Sequence, residues 1–100
     1  MATGTINSTD KYFPTYTNYI DLSSKSQGST FTVSRTGFYS VYFTANDANL
    51  ADLGIRCGGN DVFRQRFSGG GGWAGLLFLN ANQTYTVLAK TNVNYFYLYY

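Results

Sequence analysis

The stretch GSTFTVSRTGFYSVYFT, residues 28–44, decides the fold. It reads as two strands joined by a tight corner at Arg35-Thr36-Gly37. From Gly37 to Thr44 the side chains alternate: Tyr39, Val41 and Phe43 leave one face, and Phe38, Ser40, Tyr42 and Thr44 leave the other. A strand does this because successive side chains point to opposite sides of the pleat. The first set is wholly apolar or aromatic, which predicts a core-facing side. The second set carries two rings of its own, Phe38 and Tyr42, which predicts a covering layer there as well. In a domain of this size the expected layer is another subunit.

Upstream, residues 1–11 are polar and aperiodic and predict a flexible lead-in or linker, which leaves residues 12–100 as one domain. Tyr16, Ile20 and Leu22 recur at even spacing and predict a first strand near Leu22, with Pro14 at an edge or outside the sheet. Ser23–Ser29 is a loop by composition, and Thr30–Ser34 is a second strand with Phe31 and Val33 on one face. Downstream of the third strand, Asn46–Asp52 is a polar loop. Leu53–Cys57 and Val62–Phe67 are strands joined by a Gly58-Gly59-Asn60-Asp61 turn. Ser68–Gly72 reads as a flexible loop that leads to Trp73, and Ala74–Leu79 as a sixth strand with apolar residues on both faces. Thr84–Lys90 and Tyr95–Tyr100 complete the set, with Tyr85, Val87 and Ala89 inward. Eight short strands with turns between them predict an all-β sandwich or barrel, and the eight-stranded antiparallel sandwich is the jelly roll.

Composition narrows the chemistry. One hundred residues bury roughly two-thirds of their unfolded surface, which suffices for a core without disulfides. The single cysteine, Cys57, shares the alternation of Leu53 and Ile55 and reads as a small core residue. A net charge of +2 is too small to argue for nucleic acid or an anionic membrane, and no run is apolar enough to span a bilayer. No signal peptide follows Met1, so the chain reads as made in the cytoplasm, or as a piece of a longer protein begun at an added Met1. With no histidine the usual general base and the usual triad are missing, and an enzyme is not expected. Asp47-x-Asn49-x-x-Asp52 offers oxygen ligands but lacks the glycine and bidentate acid of a calcium loop, and an ordinary polar loop is the expected reading. No metal or cofactor is expected. The GGGG run lacks the Lys-Ser/Thr of a phosphate-binding loop.

Binding is the remaining role. Loops on a rigid sandwich carry recognition. The ligand-binding candidates are Asn46, Asp47 and Asn49 in one loop, Asn60 and Asp61 in the next, and Trp73 beside its glycines. Amide and carboxylate groups pair with sugar hydroxyls, and an indole stacks on a sugar ring. Trp73 reads equally as part of an ordinary hairpin loop. Arg64 and Arg66 read as solubilising charge that protects a strand. The closing YFYLYY, residues 95–100, is aromatic or aliphatic at every position, so neither of its faces suits water. It is either a central strand covered within one chain or a surface buried between copies.

In order, TGFYSVYF (36–43), LGIRCGGND (53–61), the glycine-rich loop, GLLFLNANQTYTV (75–87) and NYFYLYY (94–100) resemble the tumour-necrosis-factor-like and complement-type jelly roll. The nearest likeness is to the short versions at the tips of bacteriophage tail fibres. The resemblance implies a homotrimer with the closing strand near the three-fold axis, and a subunit interface that includes Phe38, Tyr42, Tyr95, Tyr97 and Tyr99. It also implies a virion protein joined to an upstream fibre segment, which binds a bacterial surface receptor, expected to be a glycan. The alternatives are a structural trimerisation or capping domain without a ligand, and a stand-alone carbohydrate-binding module.

Overall fold

A computed structural model describes residues 13–45, 50–68 and 71–100. The expected lead-in at residues 1–11 lies outside them. Eight strands follow in order: β1 Tyr19–Asp21, β2 Thr30–Phe31, β3 Gly37–Ala45, β4 Leu50–Cys57, β5 Asn60–Ser68, β6 Gly71–Leu79, β7 Tyr85–Thr91 and β8 Val93–Tyr99. They form two four-stranded sheets, β1-β8-β3-β6 and β2-β7-β4-β5, in which every pairing is antiparallel. The described residues contain no helix. The protein is an all-β sandwich.

The core lies between the sheets and uses the predicted faces. Tyr39, Val41 and Phe43 of β3 are fully buried, as are Leu53 and Ile55 of β4, Val87 of β7, and Phe96 and Leu98 of β8. Each such side chain taken out of water contributes about 1.5–3 kcal/mol. Tyr39 brings a hydroxyl into this layer and donates it to the Arg35 carbonyl, 2.5 Å away. The Arg35 guanidinium lies over the Tyr39 and Tyr100 rings at 5.1 and 5.4 Å. Burial raises the Tyr39 phenol above its ordinary value.

Three local features shape the connections. Gly58, at φ 62°, opens the two-residue turn between β4 and β5. Asn92, at φ 56°, is the single residue between β7 and β8, where the chain crosses from one sheet to the other. Asparagine tolerates this left-handed conformation better than most residues. The loop between β1 and β2 is pinned from below, because Lys90 Nζ of β7 donates to the carbonyls of Ser23 and Lys25.

Strand limits differ from the sequence reading: β2 ends at Phe31, short of the expected Ser34, and β8 begins at Val93, two residues before the expected start. The first strand is only Tyr19–Asp21, and Tyr16 precedes it at φ 64°. Leu50–Asp52, expected in a loop, opens β4, paired on one side with β5 and, from Asp52, on the other with β7. Asn60 and Asp61, expected in a turn, are the first residues of β5, and Gly71–Trp73, expected before the sixth strand, belong to β6. In β4, β5 and β6 a cross-strand partner extends the ladder through residues whose local composition favours a turn. Cys57, expected in the core, is half-buried, with its Sγ 3.4 Å from Gln83 Oε1.

Candidate functional site

The sandwich has two outer faces of opposite character. On the β2-β7-β4-β5 side the face is charged. Asp52 of β4 lies opposite Arg66 and beside Arg64 of β5. Arg64 grips its carboxylate through two nitrogens, Nε to Oδ1 at 2.7 Å and Nη2 to Oδ2 at 2.8 Å, and Arg66 Nε lies 3.4 Å from Oδ2. The hydrogen bond from Arg64 holds the Asp52 carboxyl below the usual carboxylate range. The Arg64 stem reaches Asp52 by lying across Gly54, where an added Cβ would come within 2.9 Å of its Cδ. Arg56 and Asp61 form a second pair at 2.9 Å.

On the β1-β8-β3-β6 side the face is paved with rings. Alternation sends Tyr95, Tyr97 and Tyr99 of β8 outward, because Phe96 and Leu98 between them are buried. It does the same for Phe38, Ser40 and Tyr42 of β3, and for Leu76 and Phe78 of β6. Register assembles these into rows across the sheet. Tyr19, Tyr99, Ser40 and Leu76 form one row. Asp21, Tyr97 and Tyr42 form the next, continued by the backbone of Trp73. Phe38 and Phe78 make a T-shaped pair at 5.0 Å, and Phe13 stacks on Phe38 at 5.0 Å from the segment before β1. Tyr97 stacks on Tyr42 at 6.1 Å and touches Tyr19 at 5.1 Å, Tyr95 at 6.0 Å and Tyr99 at 6.0 Å. Desolvation raises the Tyr97 phenol above its ordinary value. Asp21 brings a formal charge to these rows. Hydrogen bonds from the Ser23 side chain and backbone satisfy it and lower its pKa.

The five expected interface residues, Phe38, Tyr42, Tyr95, Tyr97 and Tyr99, are thus gathered on one face. Of the expected ligand residues, Asn60 and Asp61 are described with their side chains, side by side at the start of β5. Asn46, Asp47 and Asn49 lie outside the described residues, and so does the Trp73 side chain, although its backbone pairs with Tyr42 in β6. Asn60 and Asp61 stand at the opposite end of β4 from Leu50, about 25 Å away at strand rise. The Asp61 carboxylate is engaged by Arg56. Asp52, offered as a calcium ligand, is engaged by Arg64 and Arg66. Among the described residues no group of three His, Cys, Asp or Glu side chains is placed to hold a metal ion.

One feature of the ring-paved face escaped the sequence reading. Tyr16, Ser40, Gly75, Leu76 and Tyr99 line an open groove of ≈ 680 Å³. The signal was a serine in a row of rings, but only register brings Leu76 and Tyr99 to its sides. Comparison with family models, with curated proteins and with solved structures finds no match to this chain.

Proposed function

We propose that this chain is a non-enzymatic jelly-roll domain that assembles as a homotrimer through its ring-paved face, and that it serves as the tip of a virion fibre, attaching to a bacterial surface glycan. The observation that carries the proposal is the amount of aromatic surface left at that face. Phe13, Tyr16, Tyr19, Leu76, Phe78 and Tyr95 are each 46–56% exposed. With side chains of this size the six together leave on the order of 600 Å² of largely apolar patch, at the top of the range that monomers tolerate. A standard interface takes about 800 Å² from each partner, so packing between copies is large enough to cover the patch. The opposite face, with its arginine and aspartate pairs, suits water.

The jelly-roll reading is supported by strand order. β1 pairs with β8, β2 with β7, β3 with β6 and β4 with β5. A long antiparallel hairpin rolled into two sheets generates those four pairings. The fibre and the glycan are supported by the sequence resemblance. Three weak sites on one trimer become firm attachment through effective concentration.

Sedimentation velocity at micromolar concentration tests the assembly, with three chains per particle expected. A one-chain particle refutes it and leaves the carbohydrate-binding-module reading. Binding of the intact trimer to a glycan array and to whole bacteria then separates attachment from a purely structural capping role.

A further inference from the structure

We propose that Arg64 and Arg66, held together by Asp52, form a binding site for a singly charged oxyanion of a bacterial surface polymer, a uronate carboxylate or a phosphodiester. The site lies on the outer face of the β2-β7-β4-β5 sheet, away from the rings, so assembly through the ring-paved face leaves it open. Arg64 and Arg66 alternate with Gln65 on β5 and so leave the same side of the strand. Asp52 lies across the ladder from Arg66. Its oxygens accept from Arg64 Nε and Nη2 at 2.7 and 2.8 Å, and Arg66 Nε approaches at 3.4 Å. Two guanidiniums against one carboxylate leave the cluster a net charge of +1. The neighbouring pair, Arg56 with Asp61, is balanced one to one.

The way Asp52 holds the arginines suits them to bind an anion. A guanidinium presents its N–H donors in a planar fork. Arg64 turns the Nε–Nη2 edge of its fork to Asp52, which leaves the Nη1–Nη2 end for a second oxyanion. Arg66 meets Asp52 through Nε alone and keeps both terminal nitrogens for it. The two side chains are 37% and 59% exposed, so both forks are reachable from solvent. An oxyanion arriving there exchanges water for charge-assisted hydrogen bonds. Because Asp52 already fixes Arg64, less side-chain freedom is lost on binding. Beside the forks the sheet is low. A Cβ at Gly54 would come within 2.9 Å of Arg64 Cδ and 3.5 Å of Leu88 Cβ, so the Arg64 stem and Leu88 flank a glycine as an apolar shelf. The C–H side of a sugar ring fits such a shelf while its charged group meets the forks. One surplus charge matches one oxyanion and is too little for nucleic acid.

The site is complete within one chain. It deepens the attachment reading by giving the glycan a charge and a place on the outer sheet, and it rests on that reading only for the source of the ligand. The test is NMR of the arginine side-chain Nε–H signals of the intact chain at low salt. The probes are the methyl glycoside of glucuronate, dimethyl phosphate and, as the neutral control, methyl glucoside. Arg64→Gln and Arg66→Gln are the site variants, Arg56→Gln removes the same charge elsewhere on the sheet, and urea midpoints verify folding. At least one oxyanion should move the Arg64 and Arg66 signals at millimolar concentration, and methyl glucoside should not. Each site variant should weaken binding about five- to tenfold, and Arg56→Gln less than about twofold. Binding of either oxyanion supports the site and names the polymers that can supply it. Equal losses in all three variants would reduce the effect to unlocalised charge attraction and overturn the proposal. Silent Arg64 and Arg66 signals would overturn it too, and leave glycan attachment to be decided by the array. Oxyanion binding here without any binding to bacteria would keep the site and remove the attachment role.

Discussion

Tyr95→Ser separates assembly from folding more cleanly than any other change on the ring-paved face. Among the described residues the Tyr95 ring pairs with one other ring, Tyr97, at 6.0 Å, and it is 48% exposed. Its removal should cost the isolated fold no more than about 0.5–1 kcal/mol. The backbone amide of Tyr95, which donates to Thr44 Oγ1 at 3.1 Å, is untouched. In the assembly the exposed half of the ring, on the order of 100 Å², is covered by a neighbour at about 25 cal/mol per Å², or about 2.5 kcal/mol per copy. Three copies lose about 7 kcal/mol, which is about five decades in the trimer dissociation constant. At micromolar protein the wild type should sediment as three chains and Tyr95→Ser as one. Urea unfolding of the variant should stay cooperative, with a midpoint close to that of a dissociated wild type. An unchanged three-chain particle would show that Tyr95 faces solvent, and a wild type already present as one chain would remove the premise.

Three further outcomes follow from the charged face and the pinned loop. Gly54→Ala should push Arg64 off Asp52 and lower the urea midpoint about as far as Arg64→Ala does, yet have little added effect in an Arg64→Ala background; additive losses would mean that the methyl strains the backbone instead. Because the folded pKa of Asp52 is depressed, its contribution, about 1 kcal/mol, is present above the ordinary carboxylate value near 4 and is lost as pH falls through the lower folded value. Midpoints measured from pH 6 to pH 2 should therefore fall less in Asp52→Asn than in wild type. Lys90→Met should leave the carbonyls of Ser23 and Lys25 without their donor, cost about 1–2 kcal/mol, and speed amide exchange across Leu22–Gly28, and an unchanged exchange pattern would contradict the pinning.

Much of the architecture was legible because period-two alternation is a local signal. Tyr39, Val41 and Phe43, Leu53 and Ile55, and Tyr85, Val87 and Ala89 all point inward as read. The closing hexapeptide splits as its composition demanded: Phe96 and Leu98 fill the core, and Tyr95, Tyr97 and Tyr99 leave it. What the sequence hid depends on partners distant in the chain. Gly71 and Gly72 are in a strand because Thr44 and Phe43 pair with them. Arg64 and Arg66 look like ordinary surface charge until register sets Asp52 against them. Lys90 lies more than sixty positions from the carbonyls it holds. The groove at Ser40 needs three strands and a bulge, none visible from the serine itself.

The position of β8 has a consequence for the order in which the molecule is made. The strand lies inside its sheet, between β1 and β3, and Tyr19 faces Tyr99 while the Asn18 and Tyr100 backbones exchange two hydrogen bonds. During translation β1 therefore waits without a strand partner, and β3 with one side of its ladder open, until Val93–Tyr99 has been synthesised. Closing a contact between residues eighty positions apart also makes the search slow. A nascent chain stalled before Val93 would present two unfilled β-edges and several uncovered rings, which makes it a natural client for a holding chaperone.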